Sequence, residues 1–308
     1  DQARLTSRQL PADDGTAGRY TLGWRDWIIG LSYLWEGQAD LAAQKLRVAL
    51  ARAEEETGRR SPIAVTLASA LAAAQWERNE TEEAGALLAN RLDVLERRAP
   101  PDAIAMGYVT ATRVAALDGN EQRALDLLDS LLALGETRRL PRLSIASLGE
   151  RIRLHAVRGR SELCSVIERK LDAMATGLAA QAHGLLGPIA DLQIGLARAY
   201  AVVARNDWKE ALVRLDALAP AAERLGRGRD GIQIHLLQAL AKDRCGDDAT
   251  DQLNESLSMA RMWGLARILV DTHPDLDGLV RPTPTIVAAA TGSPARAAEP
   301  AQLAGRPA

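Results

Sequence analysis

The chain has 308 residues, 40 acidic against 38 basic side chains, and a formal net charge of -2. That balance leaves no domain-wide basic footprint, so no direct nucleic-acid contact is expected from this segment. Hydrophobic residues make up 47%, yet aromatics only 3% with no Phe at all. The core must then be Leu, Ala, Val and Ile, which suits close helix packing better than a β-sandwich.

Residues 1–16 are polar without a period and read as a lead-in. A start at Asp1 rather than Met reads as a fragment or a processed product, and no signal peptide precedes it. From 17 to 281 the apolar pattern is helical throughout. It places helix pairs at 17–36 and 39–57, 62–78 and 80–98, 102–118 and 120–135, 142–158 and 160–176, 187–205 and 207–224, and 230–245 and 248–262. In the stretch 38–56, Leu41, Ala42, Leu46, Ala49 and Leu50 share one face, and Asp40, Gln44, Lys45 and Arg47 the other. Thr57-Gly58 supplies a stop. Pro62, Pro101, Pro141 and Pro188 each fall near a helix start, where a missing N–H costs nothing. Residues 282–308, rich in Ala, Pro and Gly, read as a flexible linker. No apolar run reaches the roughly 18 residues needed to span a membrane.

A polar turn recurs along this pattern, each time with a small residue five positions later. The pairs are Gly37 and Ala42, Asn79 and Ala84, Gly119 and Ala124, Gly159 and Cys164, Asn206 and Ala211. Subtracting successive turn positions gives intervals of 42, 40, 40 and 47 residues, the longest holding extra residues around 174–187. A helix-turn-helix unit at that period predicts an all-α, tetratricopeptide-like solenoid of about six helix pairs with a short C-terminal capping helix. Setting Gly37 as the fifteenth repeat position puts Gly30 at eight, Tyr33 at eleven, Ala42 at twenty and Ala49 at twenty-seven, where small or aromatic residues belong. Ala72, Thr112 and Ala199 follow in other units. The fourth unit is weaker, with Ile152 and Cys164. The sixth has Asp251 at the twentieth position, which implies a second helix out of register.

First helices line the concave face of such a solenoid, through positions two, five, nine, twelve and thirteen. Those positions collect Trp24, Trp27, Trp35, Trp76, Arg113, Arg153, Tyr200 and Arg244. Stacking rings beside Arg donors suit a sugar, an aromatic acid or a peptide, so this set is the candidate ligand site; ordinary interhelix packing is the competing reading. Trp208 and Trp263 are assigned to packing.

Other motifs carry little chemistry. His155, His183, His235 and His273 have no ligand spacing, so no metal site is expected. Cys164 and Cys245 read as structural thiols. No GxSxG elbow and no GxxxxGK[ST] phosphate loop occurs, so an enzyme is not expected. Gly226 to Gly231 spells GxGxxG, but a helix precedes it, so it reads as a loop between helix pairs. Arg224, Arg227 and Arg229 there form a small basic patch. Glu54, Glu55 and Glu56 with Arg59 and Arg60 read as a solvated helix end.

Three stretches go further: WRDWIIGLSYLWEGQADLAAQKLRVALARAEE at 24–55, RNDWKEALVRLDAL at 205–218, and NESLSMARMWGLARILVDTHPDLDGLV at 254–280. Through them the chain resembles the tetratricopeptide-like sensor region of the MalT-like, STAND-type, LuxR-family transcriptional regulators. The ending is the most specific, with Leu257, Ala260, Gly264, Arg267, Leu269 and Asp271. With no signal peptide and no membrane run, cytoplasmic residence is the default expectation; the resemblance implies a regulator with an ATP-binding module upstream and a helix-turn-helix DNA-binding domain beyond the linker, neither within this segment. No cofactor is then expected in the segment itself. It would bind a small-molecule or protein effector, and that binding would release self-association. The alternative is a general tetratricopeptide scaffold for a peptide or protein partner.

Overall fold

The structure, a computed structural model, describes residues 19–179 and 187–280. The expected lead-in, the expected linker, His183 and part of the extra stretch at 174–187 lie outside those residues. Among the described residues the chain is helical with no strand.

The helices follow as α1 (Arg19–Glu36) and α2 (Ala39–Thr57), then α3 (Pro62–Glu77) with α4 (Thr81–Leu88) and α5 (Leu92–Arg98). Next come α6 (Pro101–Leu117) and α7 (Glu121–Arg138), α8 (Pro141–Ala156) and α9 (Ser161–Ala179), α10 (Gly187–Ala204) and α11 (Trp208–Arg224). The last pair is α12 (Gly228–Cys245) and α13 (Thr250–Met262), capped by α14 (Ile268–Thr272) and a 3-10 helix (Pro274–Gly278). This is the expected solenoid of six units with a short C-terminal cap.

Local chemistry sets the joints. The recurring turn residues Gly37, Asn79, Gly119, Gly159, Asn206 and Gly246 all take positive φ, between 58° and 90°. Only Gly, or Asn at modest cost, enters that region readily, which is why the turn repeats in those two residue types. Pro62, Pro101 and Pro141 are each the first residue of a helix. Ser61, Asn120 and Asp207 accept a backbone N–H at their helix starts.

The small residues fulfil the role their spacing gave them. Ala42, Ala84, Cys164 and Ala211 are fully buried and Ala124 nearly so. A Cβ on Gly30 would lie 2.4 Å from Leu46 Cδ2, so α1 and α2 touch there with no room for a side chain. The Cys164 thiol contacts the Ile152 carbonyl at 3.6 Å, and burial pushes its pKa up to about 11. The weak fourth unit therefore packs like the others, with sulfur where a methyl would be.

Two details differ from expectation, and the expected slip in the sixth unit takes a definite form. The second helix of the second unit is broken at Ala89-Asn90-Arg91, with Asn90 at φ 58°. The break lets Leu95 bury against Gly107, where a Cβ would come within 2.4 Å of Leu95 Cδ2, and lets Arg91 bury and pair with Glu54. Glu54 is thus part of an ion pair between units rather than of a purely solvated helix end. In the sixth unit α13 starts four residues after Gly246, whereas α2 starts two after Gly37, so Leu253 takes the buried place and Asp251 faces solvent. Finally, α12 begins at Gly228, so most of the GxGxxG stretch is helix and not loop.

The ends of the solenoid meet. α1 packs against α12, and the Ala39 amide donates to the Trp263 carbonyl at 2.8 Å. Gly228 lies against the first turn so closely that a Cβ would stand 2.3 Å from the Glu36 carbonyl oxygen. Arg227 lies 5.1 Å from the centre of the Trp35 ring and pairs with Asp230. Arg227 and Arg229 are thus drawn into ion pairs, and no basic surface patch forms around Arg224. The superhelix closes on itself and encloses a lumen lined by first helices.

Candidate functional site

The lumen is polar because first helices of four units turn charged groups inward. Glu150 of α8 receives a two-pronged bond from Arg113 of α6, 2.9 Å on each arm, and a second guanidinium from Arg153 at 2.6 Å. Arg229 at the start of α12 donates to Glu77 at 2.9 Å across 152 residues of sequence, and Arg113 stands 3.8 Å from the same carboxylate.

These groups hold one another ionised. Burial opposes a charge on Glu150, but Arg113 and Arg153 outweigh it and hold the carboxyl well below the ordinary range. Burial likewise opposes the charge of Arg113, and Glu150 reverses that, leaving its pKa raised. Arg229 follows the same pattern through Glu77. Tyr200 is raised by burial alone in the main, so its hydroxyl remains a donor.

Into this lumen the chain inserts its own cap. The Trp76 ring N–H donates to the Asp271 carboxylate at 2.5 Å. Arg153 Nη1 donates to the Asp271 carbonyl at 2.6 Å, and the Tyr200 hydroxyl donates to the Thr272 carbonyl at 3.1 Å. Gln233 in turn donates to the Tyr200 oxygen at 2.5 Å, which fixes the direction of that hydroxyl. Arg267 lies 4.2 Å over the Trp76 ring, pairs with Asp271, and bonds Asn79 at 2.9 Å. Its backbone N–H reaches the Glu77 carbonyl at the end of α3. Ile268 and Leu276 bury in the apolar cluster formed by Ile232, Leu236 and Leu240 of α12.

Four of the eight residues assigned to the concave face, Trp76, Arg113, Arg153 and Tyr200, therefore do converge; Trp76, Arg153 and Tyr200 hold the cap, and Arg113 braces Glu150 beside it. Arg244 sits at the rim, exposed, paired with Asp275 and 5.9 Å from the Trp208 ring centre. Trp24 and Trp27 meet edge to face at 5.7 Å, and with Trp35 they belong to the apolar core of the first units. Trp208 packs in two apolar clusters and meets His273 edge to face, while Trp263 seals the joint with the first turn.

Sequence reasoning did not assign Glu77, Glu150, Arg229, Gln233, Arg267, Asp271 or Thr272 to the site, although Arg267 and Asp271 are among the residues that carry the family resemblance. Glu77 and Gln233 occupy concave repeat positions thirteen and two, so the same rule would have found them had it not been restricted to rings and arginines. Glu150 had a signal too, an acid three residues before Arg153 on one helix face.

A second, open cavity of about 880 Å³ runs along α12 between α11 and α13, past His235, Gln238, Glu255 and Met259. Its buried polar residues are already committed, Gln238 to Asp216 and Arg227 to Asp230. Among the described residues no group of His, Cys, Asp and Glu could hold a metal ion, and no helix is long and apolar enough to cross a membrane.

Comparison with known proteins gives the family. No curated protein matches the chain. Among solved structures, the TPR-like repeats of a Podosopora anserina putative kinesin light chain, in a singly substituted form, align with a TM-score of 0.45 at 16% identity, covering 68% of this chain and 99% of that one. A second structure of those repeats gives 0.42 at 17%, covering 66% and 95%. Likenesses at that level carry no argument about function. The family description "MalT-like TPR region" matches residues 28–282, which runs from the middle of α1 through the other five units, the closing contacts of α12 and the lumen-filling cap. This chain belongs to the MalT-like TPR region family.

Proposed function

We propose that the chain is the signal-sensing and assembly domain of a LuxR-type, MalT-like transcriptional regulator, non-catalytic and cytoplasmic. It would respond to a small-molecule or protein effector, within a longer protein that supplies ATP binding and DNA binding elsewhere. Family membership supports the tetratricopeptide-type role. The observation that carries the rest is the cap. Residues 267–275 hold the groups of the lumen and, through Arg267 and Glu77, tie the second unit to the C-terminal end. An effector that prefers the lumen without the cap would shift the population toward an open solenoid whose ends are free for self-association.

The test is a thermal-shift screen of metabolites and peptides on this chain, with light scattering on every hit. A ligand at 100 times its Kd should add about 2.7 kcal/mol of stability if it binds only the folded form. Hits that saturate without changing the assembly state would remove the reading. The scaffold alternative is favoured by one fact, that the lumen's occupant is itself a stretch of polypeptide.

A further inference from the structure

We infer that the lumen is a site for a short acidic peptide taken up as a helical turn, and that residues 271–272, the end of α14, are its occupant in cis. This rests on the sensing role proposed above and adds the chemical class of what the site takes. The cap shows the lumen a set of acceptors: one carboxylate, of Asp271, and two successive main-chain carbonyls, of Asp271 and Thr272. The lumen answers with donors. Trp76 has only an N–H to give and Arg153 only guanidinium protons. Tyr200 could donate or accept, but the Gln233 amide already occupies its oxygen as an acceptor. A ligand that replaces the cap must therefore offer acceptors at the same three places.

Two other features narrow the class. Asp271 and Thr272 are buried and Ile268 and Leu276 fill the apolar face of α12, so the site grips apolar side chains on both sides of the acidic residue. A sugar offers hydroxyls and no such apolar flanks. The donors are also held in place when the cap leaves, since Arg153 keeps its bonds to Glu150 and Tyr200 keeps Gln233. The site is thus preorganised for a replacement.

The probe is a fluorescein-labelled peptide with the sequence of residues 268–276, ILVDTHPDL, and the same peptide with Asn in place of the first Asp. Anisotropy is measured on the full chain, on Asp271→Ala, and on Asp271→Ala with Arg153→Met. Asp271→Ala weakens the cis occupant, so the acidic peptide should bind it at least ten-fold tighter than it binds the unaltered chain. The Asn peptide should bind at least ten-fold weaker, and Arg153→Met should cost a similar factor, as expected for charge-assisted bonds. Hydrogen exchange across 268–278 shows whether the cap has loosened in Asp271→Ala.

Equal binding of the two peptides, or no binding once exchange shows the cap loose, overturns the inference. So does a cap that stays as protected in Asp271→Ala as in the unaltered chain, because the carboxylate would then not anchor it. Light scattering in the same titration separates this inference from the sensing role. Peptide binding with no change in assembly keeps the site and removes the sensing role; metabolite-driven assembly without peptide binding does the reverse.

Discussion

Gly228→Ala tests the closure of the solenoid by the sign of a stability change. In an ordinary helix interior Gly→Ala stabilises by up to about 1 kcal/mol, and less at a first-turn position. At Gly228 the added methyl would lie 2.3 Å from the Glu36 carbonyl oxygen, 3.0 Å from its carbon and 3.1 Å from Trp263 Cζ3. Two of those atoms are backbone and cannot swing away, so the first turn must move off α12. Overpacking of that kind costs about 1–3 kcal/mol. The net expectation is a destabilisation of about 1–2 kcal/mol, read as a fall in Tm of about 2–4 °C per kcal/mol for a chain of this size. Gly177→Ala is the control. It lies within α9 with nothing within 4 Å of the new methyl, so it should stabilise. Hydrogen exchange locates the effect: the Ala39 amide, bonded to the Trp263 carbonyl, should lose protection in Gly228→Ala and not in Gly177→Ala. If Gly228→Ala raises Tm as the control does, the ends do not meet as described.

Three further outcomes are expected. Glu150→Gln leaves Arg113 and Arg153 facing each other in a buried site with only the more distant Glu77 and Asp271 to offset them, so denaturant unfolding should show a loss of about 3–5 kcal/mol, and a loss under about 1 kcal/mol would refute the network. Burial lowers the pKa of His273 below its ordinary value near 6.5, with Asp275 pulling the other way and Arg244 adding to the shift. A depressed pKa means the neutral form is favoured on folding, so its contribution is complete above pH 6.5 and is lost as pH falls through the folded value. Protonation also removes the Nδ1 acceptor for the Asp275 N–H, so exchange protection of 274–278 should drop between pH 7.5 and 5, and His273→Asn should flatten that dependence. Cys164→Ala should cost less than about 1.5 kcal/mol, because Ala fills the same place in four other units, whereas Cys164→Leu should cost about 1–3 kcal/mol by overpacking; equal thermal shifts for the two would refute the close approach.

What the sequence disclosed and what it withheld divide along the range of the interactions. Gly37, Asn79, Gly119, Gly159 and Asn206 were readable as turns because left-handed backbone selects residue type locally. Ala42, Ala84, Ala124 and Ala211 were readable because helix contact within a unit recurs at a fixed distance from each turn. The slip at Asp251 was visible as a polar residue where a small one belonged. The break at Asn90 was not, since Leu88, Leu92 and Leu95 keep a helical spacing across it and the cause is a partner, Gly107, on another helix. The convergence of Trp76, Arg113, Arg153 and Tyr200 followed from repeat position alone. Their occupant could not, because Asp271 lies 195 residues from Trp76 and 118 from Arg153, and nothing local in either segment records the other. GxGxxG shows the same limit: Gly228 is explained by Glu36, on the first turn of the solenoid.

A solenoid ordinarily couples each unit only to its neighbours, so a perturbation at one end fades along the array. Here the cap removes that independence. It bonds α3 through Trp76 and Glu77, α8 through Arg153, α10 through Tyr200 and α12 through Arg244 and its apolar face. Four units therefore share a single segment of about a dozen residues, and the joint between α1 and α12 closes the circuit from the other side. Displacing that segment changes the surroundings of all four at once, which no ligand bound to the outer cavity along α12 would do, since that cavity meets only the last units and the first turn. At Asp271 and Thr272 the bonds are also of one polarity, lumen donors to cap acceptors, so an occupant of that place either satisfies them or leaves buried donors bare at a cost of about 1–3 kcal/mol each. If the sensing role proposed above holds, such a site would discriminate sharply between having an acceptable occupant and having none, and that property, more than the area of the concave face, would report the presence of a ligand.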